Sequence, residues 1–221
     1  MSVINSPSGQ NQDELSSFHR GSPNPGILQM YLEEQKHNAI QPIHPLLKEL
    51  IQNAKDKVVL DVGCGLGSVF CQGLLHYGLK PENLYSLDPD PENFKHDEYA
   101  RVHKVVGSVE KMDFESSFCD VVHSNEMTLD NPRIDYIQAL REINRVLKPG
   151  GFYLANEHFD QQAEIEKTDQ KIARFSQHLI DIINDEKLLD KLGFKPVVRI
   201  KYFDSEKVKP YLFRFYLFQK K

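Results

Sequence analysis

Apolar and polar positions change rhythm several times along this chain, and those changes lay out its elements. Two short apolar runs, 58–61 and 84–88, each end on an aspartate and have the length of buried strands. Between them Phe70, Leu74 and Tyr77 recur at helical spacing and Gly78 follows as a stop, which predicts a helix over 69–77. Further apolar runs predict strands at 102–106 and 120–124. Ile134, Ile137, Leu140, Ile143 and Leu147 then predict a strongly periodic helix over 134–147. Lys148-Pro149-Gly150-Gly151 predicts its stop, and a fifth strand follows at 152–156. Strand and helix in alternation predict a parallel sheet with helices on both faces, an α/β doubly wound fold.

The rhythm changes after Asn156. Ile172, Phe175, Leu179, Ile182 and Ile183 predict a long helical insertion over about 161–184, and a shorter helix at 185–192 precedes Gly193. Two more strands are predicted at 197–203 and 211–218. The link between them is shorter than the dozen or so residues of a parallel crossover, so they should pair antiparallel. Upstream, residues 1–26 are rich in Ser, Asn, Gln, Gly and Pro. That composition predicts a disordered tail, or an arm that orders over a ligand. Residues 27–56 carry helical patterning broken by Pro42 and Pro45, a helical arm or lid. The remaining 57–221 then forms one domain that includes the insertion.

Composition narrows the classes. A chain of 221 residues, 40% apolar, suits one core with additions rather than two full domains. A net charge of −5 argues against nucleic acid as the default partner. Three cysteines, Cys64, Cys71 and Cys119, are an odd number without framework spacing, which points to reduced thiols in a cytoplasmic setting. No apolar run approaches the ~18 residues of a membrane span, and no signal-peptide layout opens the chain. The nine histidines show no metal-ligand spacing, so no metal is expected.

Chemistry concentrates where the first strand meets its helix. Asp61-Val62-Gly63-Cys64-Gly65-Leu66-Gly67-Ser68 places glycines at alternate positions, where backbone can turn and approach a ligand closely. A dinucleotide fingerprint would set the third glycine one position later, and no lysine follows to make a P-loop. Asp88, followed by Pro89, ends the second strand and could accept hydrogen bonds from a ribose diol. A turn or helix-capping aspartate is the plainer alternative. Ser108, Val109 and Glu110 follow the third strand, where a purine edge or an ordinary loop are both consistent with the residues.

These segments together carry a resemblance. Val59-Leu60-Asp61-Val62-Gly63-Cys64-Gly65-Leu66-Gly67 resembles motif I of class I methyltransferases that use S-adenosylmethionine. Leu87-Asp88-Pro89 is similar to their acidic ribose-binding position, and Gly107 to Phe114 to their G-D-A-E-x-L-P-F segment. Ser116 to Ser124 resembles their S-F-D-V-V-x-S strand. Leu140 to Gly151 matches their L-x-E-x-x-R-V-L-K-P-G-G signature. The resemblance runs in order from Lys57 to Asn156.

It implies a Rossmann-like sheet of seven strands, mostly parallel with an antiparallel last strand, and S-adenosylmethionine as cofactor with S-adenosylhomocysteine as product. By matching position Asp61 and the turn at Gly63, Cys64, Gly65 and Gly67 would hold the methionine part, and Asp88 with Pro89 the ribose. Val109 and Glu110 would border the adenine, Ser108 would bond its amino group where the family often has aspartate, and Ser124 and Asn125 would lie near the sulfonium. In-line methyl displacement needs alignment and exclusion of water more than it needs a base. If a base acts, His158 is the first candidate and Glu126 the second, although a loop histidine without a role is the plainer reading of His158. His37 and His44 of the arm could also reach the site. The expected acceptor is a small molecule with an oxygen or nitrogen nucleophile. An NAD-dependent oxidoreductase and a catalytically silent binding protein are the competing readings.

Overall fold

The structure is a computed structural model, and it describes residues 56–65, 68–76, 78–95, 101–125, 134–160, 181–182, 184–199 and 211–221. Its elements in chain order are β1 (Val59–Val62), α1 (Val69–His76), β2 (Leu84–Asp88), β3 (His103–Val106), β4 (Cys119–Asn125), α2 (Tyr136–Val146), β5 (Leu147–Asp160), α3 (Glu186–Lys191), β6 (Phe194–Arg199) and β7 (Tyr211–Lys220). One seven-stranded sheet runs in the order β3-β2-β1-β4-β5-β7-β6. β1 pairs parallel with β2 and β4, and β7 pairs antiparallel with both β5 and β6. The expected α/β sheet with an antiparallel last strand is therefore present. The chain steps outward from β1 to β3 and returns to the other side of β1 at β4. That reversal opens a crevice at the carboxyl ends of β1 and β4, where open α/β sheets bind ligands.

Alternation along the strands divides the core between two faces. Val59, Val121 and Leu154 pack with Phe70, Cys71 and Leu74 of α1. Leu60, Val62 and Val122 pack with Leu140, Ile143 and Val146 of α2. Both faces are apolar because a parallel strand is covered on both sides. Asp135 caps α2 by accepting from Gln138 N, so the helix starts at Tyr136 rather than at Ile134.

The family-like signature between Leu140 and Gly151 is mostly structural. Arg145 donates to Met112 O (2.8 Å) and Phe114 O (2.6 Å), tying the segment after β3 to α2. Glu142 accepts from Met112 N (2.9 Å) and from Arg145 itself. Lys148 donates to Asp120 (2.8 Å), which also accepts from Val58 N (3.0 Å), joining the amino ends of β1, β4 and β5.

Two expectations change. Lys148-Pro149-Gly150-Gly151 is not a turn ahead of the fifth strand but an irregular stretch inside β5, where the β4 pairing skips between Cys119 and Val121. Gly150 takes φ +76° there. A Cβ on Gly151 would lie 2.9 Å from two carbonyl oxygens, so the stretch needs glycine for closeness as well as for turning. At its other end β5 continues to Asp160, beyond the last β4 pair at Asn125–Asn156. β6 likewise starts at Phe194, ahead of the expected 197. The tail 1–26, most of the arm 27–56 and most of the insertion 161–184 lie outside the described residues.

Candidate active site

The site is built on the turn that leaves β1. Gly63 and Gly65 take φ +63° and +60°, in the left-handed region that glycine enters without penalty. Among the described residues, a Cβ built on Gly65 meets nothing within 4 Å. Gly63 N and Cys64 N both donate to Leu87 O (2.9 and 3.1 Å), binding the turn to β2. Gly65 N donates to Asp88 Oδ2 (2.9 Å). Ser68, at the start of α1, is a buried non-glycine residue at φ +49°, a costly conformation of the kind that gathers at functional sites. Gly67 lies outside the described residues.

Asp88 is buried at the carboxyl end of β2, beside that turn. Its Oδ1 accepts from Asp90 N and from Asn93 Nδ2, both at 2.9 Å. Together with Gly65 N these bonds use three of the roughly four acceptor positions of a carboxylate, and among the described residues nothing takes the fourth, on Oδ2. Asp88 is thus a turn aspartate and an anchor of the glycine turn at once. Pro89 beside it is exposed.

Asp61 is 2% exposed, and so is His123. The two residues are register partners across β1 and β4, and His123 Nδ1 lies 2.7 Å from Asp61 Oδ1. Phe70 of α1 stacks on the imidazole at 3.5 Å between centroids and 12° between planes. Burial pushes the Asp61 carboxyl up from its ordinary range; the His123 contact opposes this and the nearby Asp88 charge adds to it. No motif marks His123. The signal that could have found it is its place as a buried polar residue in an apolar parallel strand, since such a group needs a partner.

The other expected residues divide clearly. Ser124 is fully buried, its hydroxyl pairs with Tyr153 Oη at 2.9 Å, and it sits in register between Val62 of β1 and Ala155 of β5. Val109 is buried in the α2 core. Ser108 Oγ accepts from Glu110 N and donates to Glu110 Oε2, closing a small turn after β3. Glu110 Oε1 accepts from Asp135 N and its carbonyl accepts from Gln138, fixing the turn to the start of α2. His158 lies in β5, opposite Phe213 of β7, past the carboxyl edge of the parallel strands. Asn125 ends β4. Glu126, His37 and His44 lie outside the described residues. Burial pushes the thiols of Cys64, Cys71 and Cys119 up, that of Cys119 to about 12, which leaves none of them poised as a nucleophile.

The arrangement discriminates between ligand classes. A dinucleotide lays its pyrophosphate on free N–H groups of the turn. Here Gly63, Cys64 and Gly65 spend theirs on Leu87 and Asp88, and two buried carboxylates flank the turn. Such surroundings repel a diphosphate and suit a ligand with positive charge and hydroxyl donors. S-adenosylmethionine has both.

Comparison with known proteins agrees. The family described as "Methyltransferase domain" matches residues 60–155. A sterol 4-C-methyltransferase of Caenorhabditis elegans is 29% identical over 129 residues, 55% of this chain and 37% of that protein. A sterol 24-C-methyltransferase of Pneumocystis carinii is 31% identical over 109 residues, 46% of this chain and 28% of that protein. The chain thus matches only about a third of the length of these curated relatives. Among solved structures, an S-adenosylmethionine-dependent methyltransferase of Methanosarcina mazei superposes with TM-score 0.56 at 18% identity, over 80% of this chain and 98% of that one. Residues 60–155 thus match a methyltransferase domain, and the strand order is the fold shared with an S-adenosylmethionine-dependent methyltransferase of known structure.

Proposed function

We propose that the chain is an enzyme that binds S-adenosylmethionine across the carboxyl ends of β1, β2 and β4 and transfers its methyl group to a small molecule. The observation that carries this reading is the pair of buried carboxylates, Asp61 and Asp88, beside a turn whose N–H groups are already bonded. Asp61 and the backbone carbonyls of the turn at Gly63 and Gly65, whose N–H groups are already spent, hold the methionine part. Asp88 takes a ribose hydroxyl through the open position on Oδ2. The backbone at Val109 and Glu110 borders the adenine, and that at Ser124 and Asn125 faces the sulfonium side.

Bound S-adenosylmethionine supplies an activated methyl group. The residues of the chain align an acceptor behind that methyl and keep water out. His158, on the part of β5 that extends past the parallel strands, is the first candidate to take a proton from an oxygen or nitrogen acceptor. Glu126 is the second candidate for that role.

A second reading of the acceptor draws on the relatives, two of which are named as sterol C-methyltransferases. It makes the nucleophile an alkene carbon of an isoprenoid. Incubation with S-adenosylmethionine labelled in its methyl group tests both. Label entering small hydroxylated or amine acceptors supports the first reading, and label entering a sterol supports the second. Binding of the cofactor with no transfer to either class would overturn the enzymatic assignment in favour of a silent binding protein.

A further inference from the structure

We infer that His123 is a positioning residue for the cofactor: it fixes Asp61 through Oδ1 so that Oδ2 meets the ammonium end of the methionine part. The inference rests on the cofactor reading above and goes beyond it by assigning a residue outside the glycine turn.

The geometry is specific. Asp61 and His123 sit directly across from each other on β1 and β4, the two strands that border the ligand crevice. Their side chains share the α1 side of the sheet, where Phe70 lies flat on the imidazole at 3.5 Å. A ring held by a stacked neighbour and buried to 2% exposure cannot turn its nitrogen away. Nδ1 stands 2.7 Å from Oδ1, held there by the fold's own packing. No other described group donates to the Asp61 carboxylate.

A buried carboxylate is expensive to keep charged, and burial together with Asp88 favours its protonated form. A protonated Asp61 could not grip an ammonium group. The hydrogen bond from His123 works against that protonation. The groups that face Asp61 are then His123 from β4, Asp88 from β2, Cys71 from α1 and Cys64 from the turn. Of these only the imidazole donates to the carboxylate.

Two ligands separate positioning from general stability. S-adenosylhomocysteine carries the amino-acid end, and 5′-methylthioadenosine carries the same nucleoside without it. Binding calorimetry of both ligands to the full chain gives a ratio of affinities. His123→Phe keeps the stack on Phe70 and removes the donor. S-adenosylhomocysteine should then weaken about tenfold, the size of one charge-assisted hydrogen bond, with 5′-methylthioadenosine unchanged. His123→Asn, whose amide nitrogen can stand near the place of Nδ1, should recover most of the ratio. His123→Leu serves as a second variant without a donor if the phenylalanine variant does not fold. Equal weakening of both ligands, or no change in either, would overturn the inference while leaving the cofactor reading intact. A wild-type chain that binds neither ligand would overturn both.

Discussion

Two carboxylates, Asp61 at the glycine turn and Glu142 on α2, are held in opposite ways. The Glu142 carboxyl lies below its ordinary range because Arg145 hydrogen-bonds to it, an effect that outweighs its partial burial and is joined by a bond from Met112 N. Asp61 lies above its ordinary range because burial dominates what His123 gives back. Glu142 has its needs met within the fold. Asp61 is left with a charge the folded chain does not fully compensate. A scaffold carboxylate is satisfied within the fold, whereas a buried carboxylate left this way is a candidate for a ligand.

The largest effect that sharpens this contrast belongs to Arg145. Arg145→Ala removes bonds to Met112 O, Phe114 O and Glu142 at once. Urea unfolding should show a loss of about 3 kcal/mol, with the affinity of the folded protein for S-adenosylhomocysteine unchanged. Lost affinity at full stability would make the α2 signature part of the site. Asp88→Ala should do the reverse. It removes the turn anchor and the proposed ribose contact, and calorimetry should show S-adenosylhomocysteine binding weakened roughly a hundredfold, about 2.7 kcal/mol. Full affinity in that variant would mean the ribose is held elsewhere.

Gly151→Ala comes next. Its Cβ would press on the carbonyls of Asp120 and Lys148, and overpacking of this kind costs about 2 kcal/mol, read as a fall in melting temperature. The smallest effect is a gain. In the folded state Asp61 keeps its proton to higher pH than in the unfolded chain, where 3.8 is the ordinary value. The folded state then binds more protons above that pH, so this residue lowers stability as pH rises through its folded value. Glu142 has the opposite sign: its stabilising effect is present above 4.5 and is lost as pH falls through its depressed folded value. Asp61→Asn should therefore raise stability at pH 7 by on the order of 1 kcal/mol, with little change at pH 4, while weakening cofactor binding. A loss of stability at pH 7 would break the contrast between the two carboxylates.

Much of this was legible in the chain itself. The spacing of Phe70, Leu74, Leu140 and Ile143 is a local property, and it marked both helices on their correct faces. The short link after Phe203 was enough to foresee that β6 and β7 run antiparallel. Asp88 was visible because a strand ends on it. The part that stayed hidden depends on contacts between distant residues. Asp61 and His123 are separated by 62 positions, and only the pairing of β1 with β4 brings them together. Lys148 to Gly151 has the composition of a turn, and only the neighbouring β4 ladder makes it an irregular strand. Glu142 and Arg145 were conspicuous as a motif, yet their task of holding Met112 and Phe114 has no sequence marker.

On the proposed function, the crevice at Gly63–Gly65 takes an adenosyl ligand with an ammonium end and refuses a diphosphate. Thermal melting with S-adenosylmethionine, S-adenosylhomocysteine and NAD tests it most directly. At a hundred times its dissociation constant a bound ligand adds about 2.7 kcal/mol, which raises the melting temperature by several degrees. That rise is expected with both adenosyl ligands and is not expected with NAD. A rise with NAD, whether or not the adenosyl ligands also give one, or no rise with any of the three, would refute this reading.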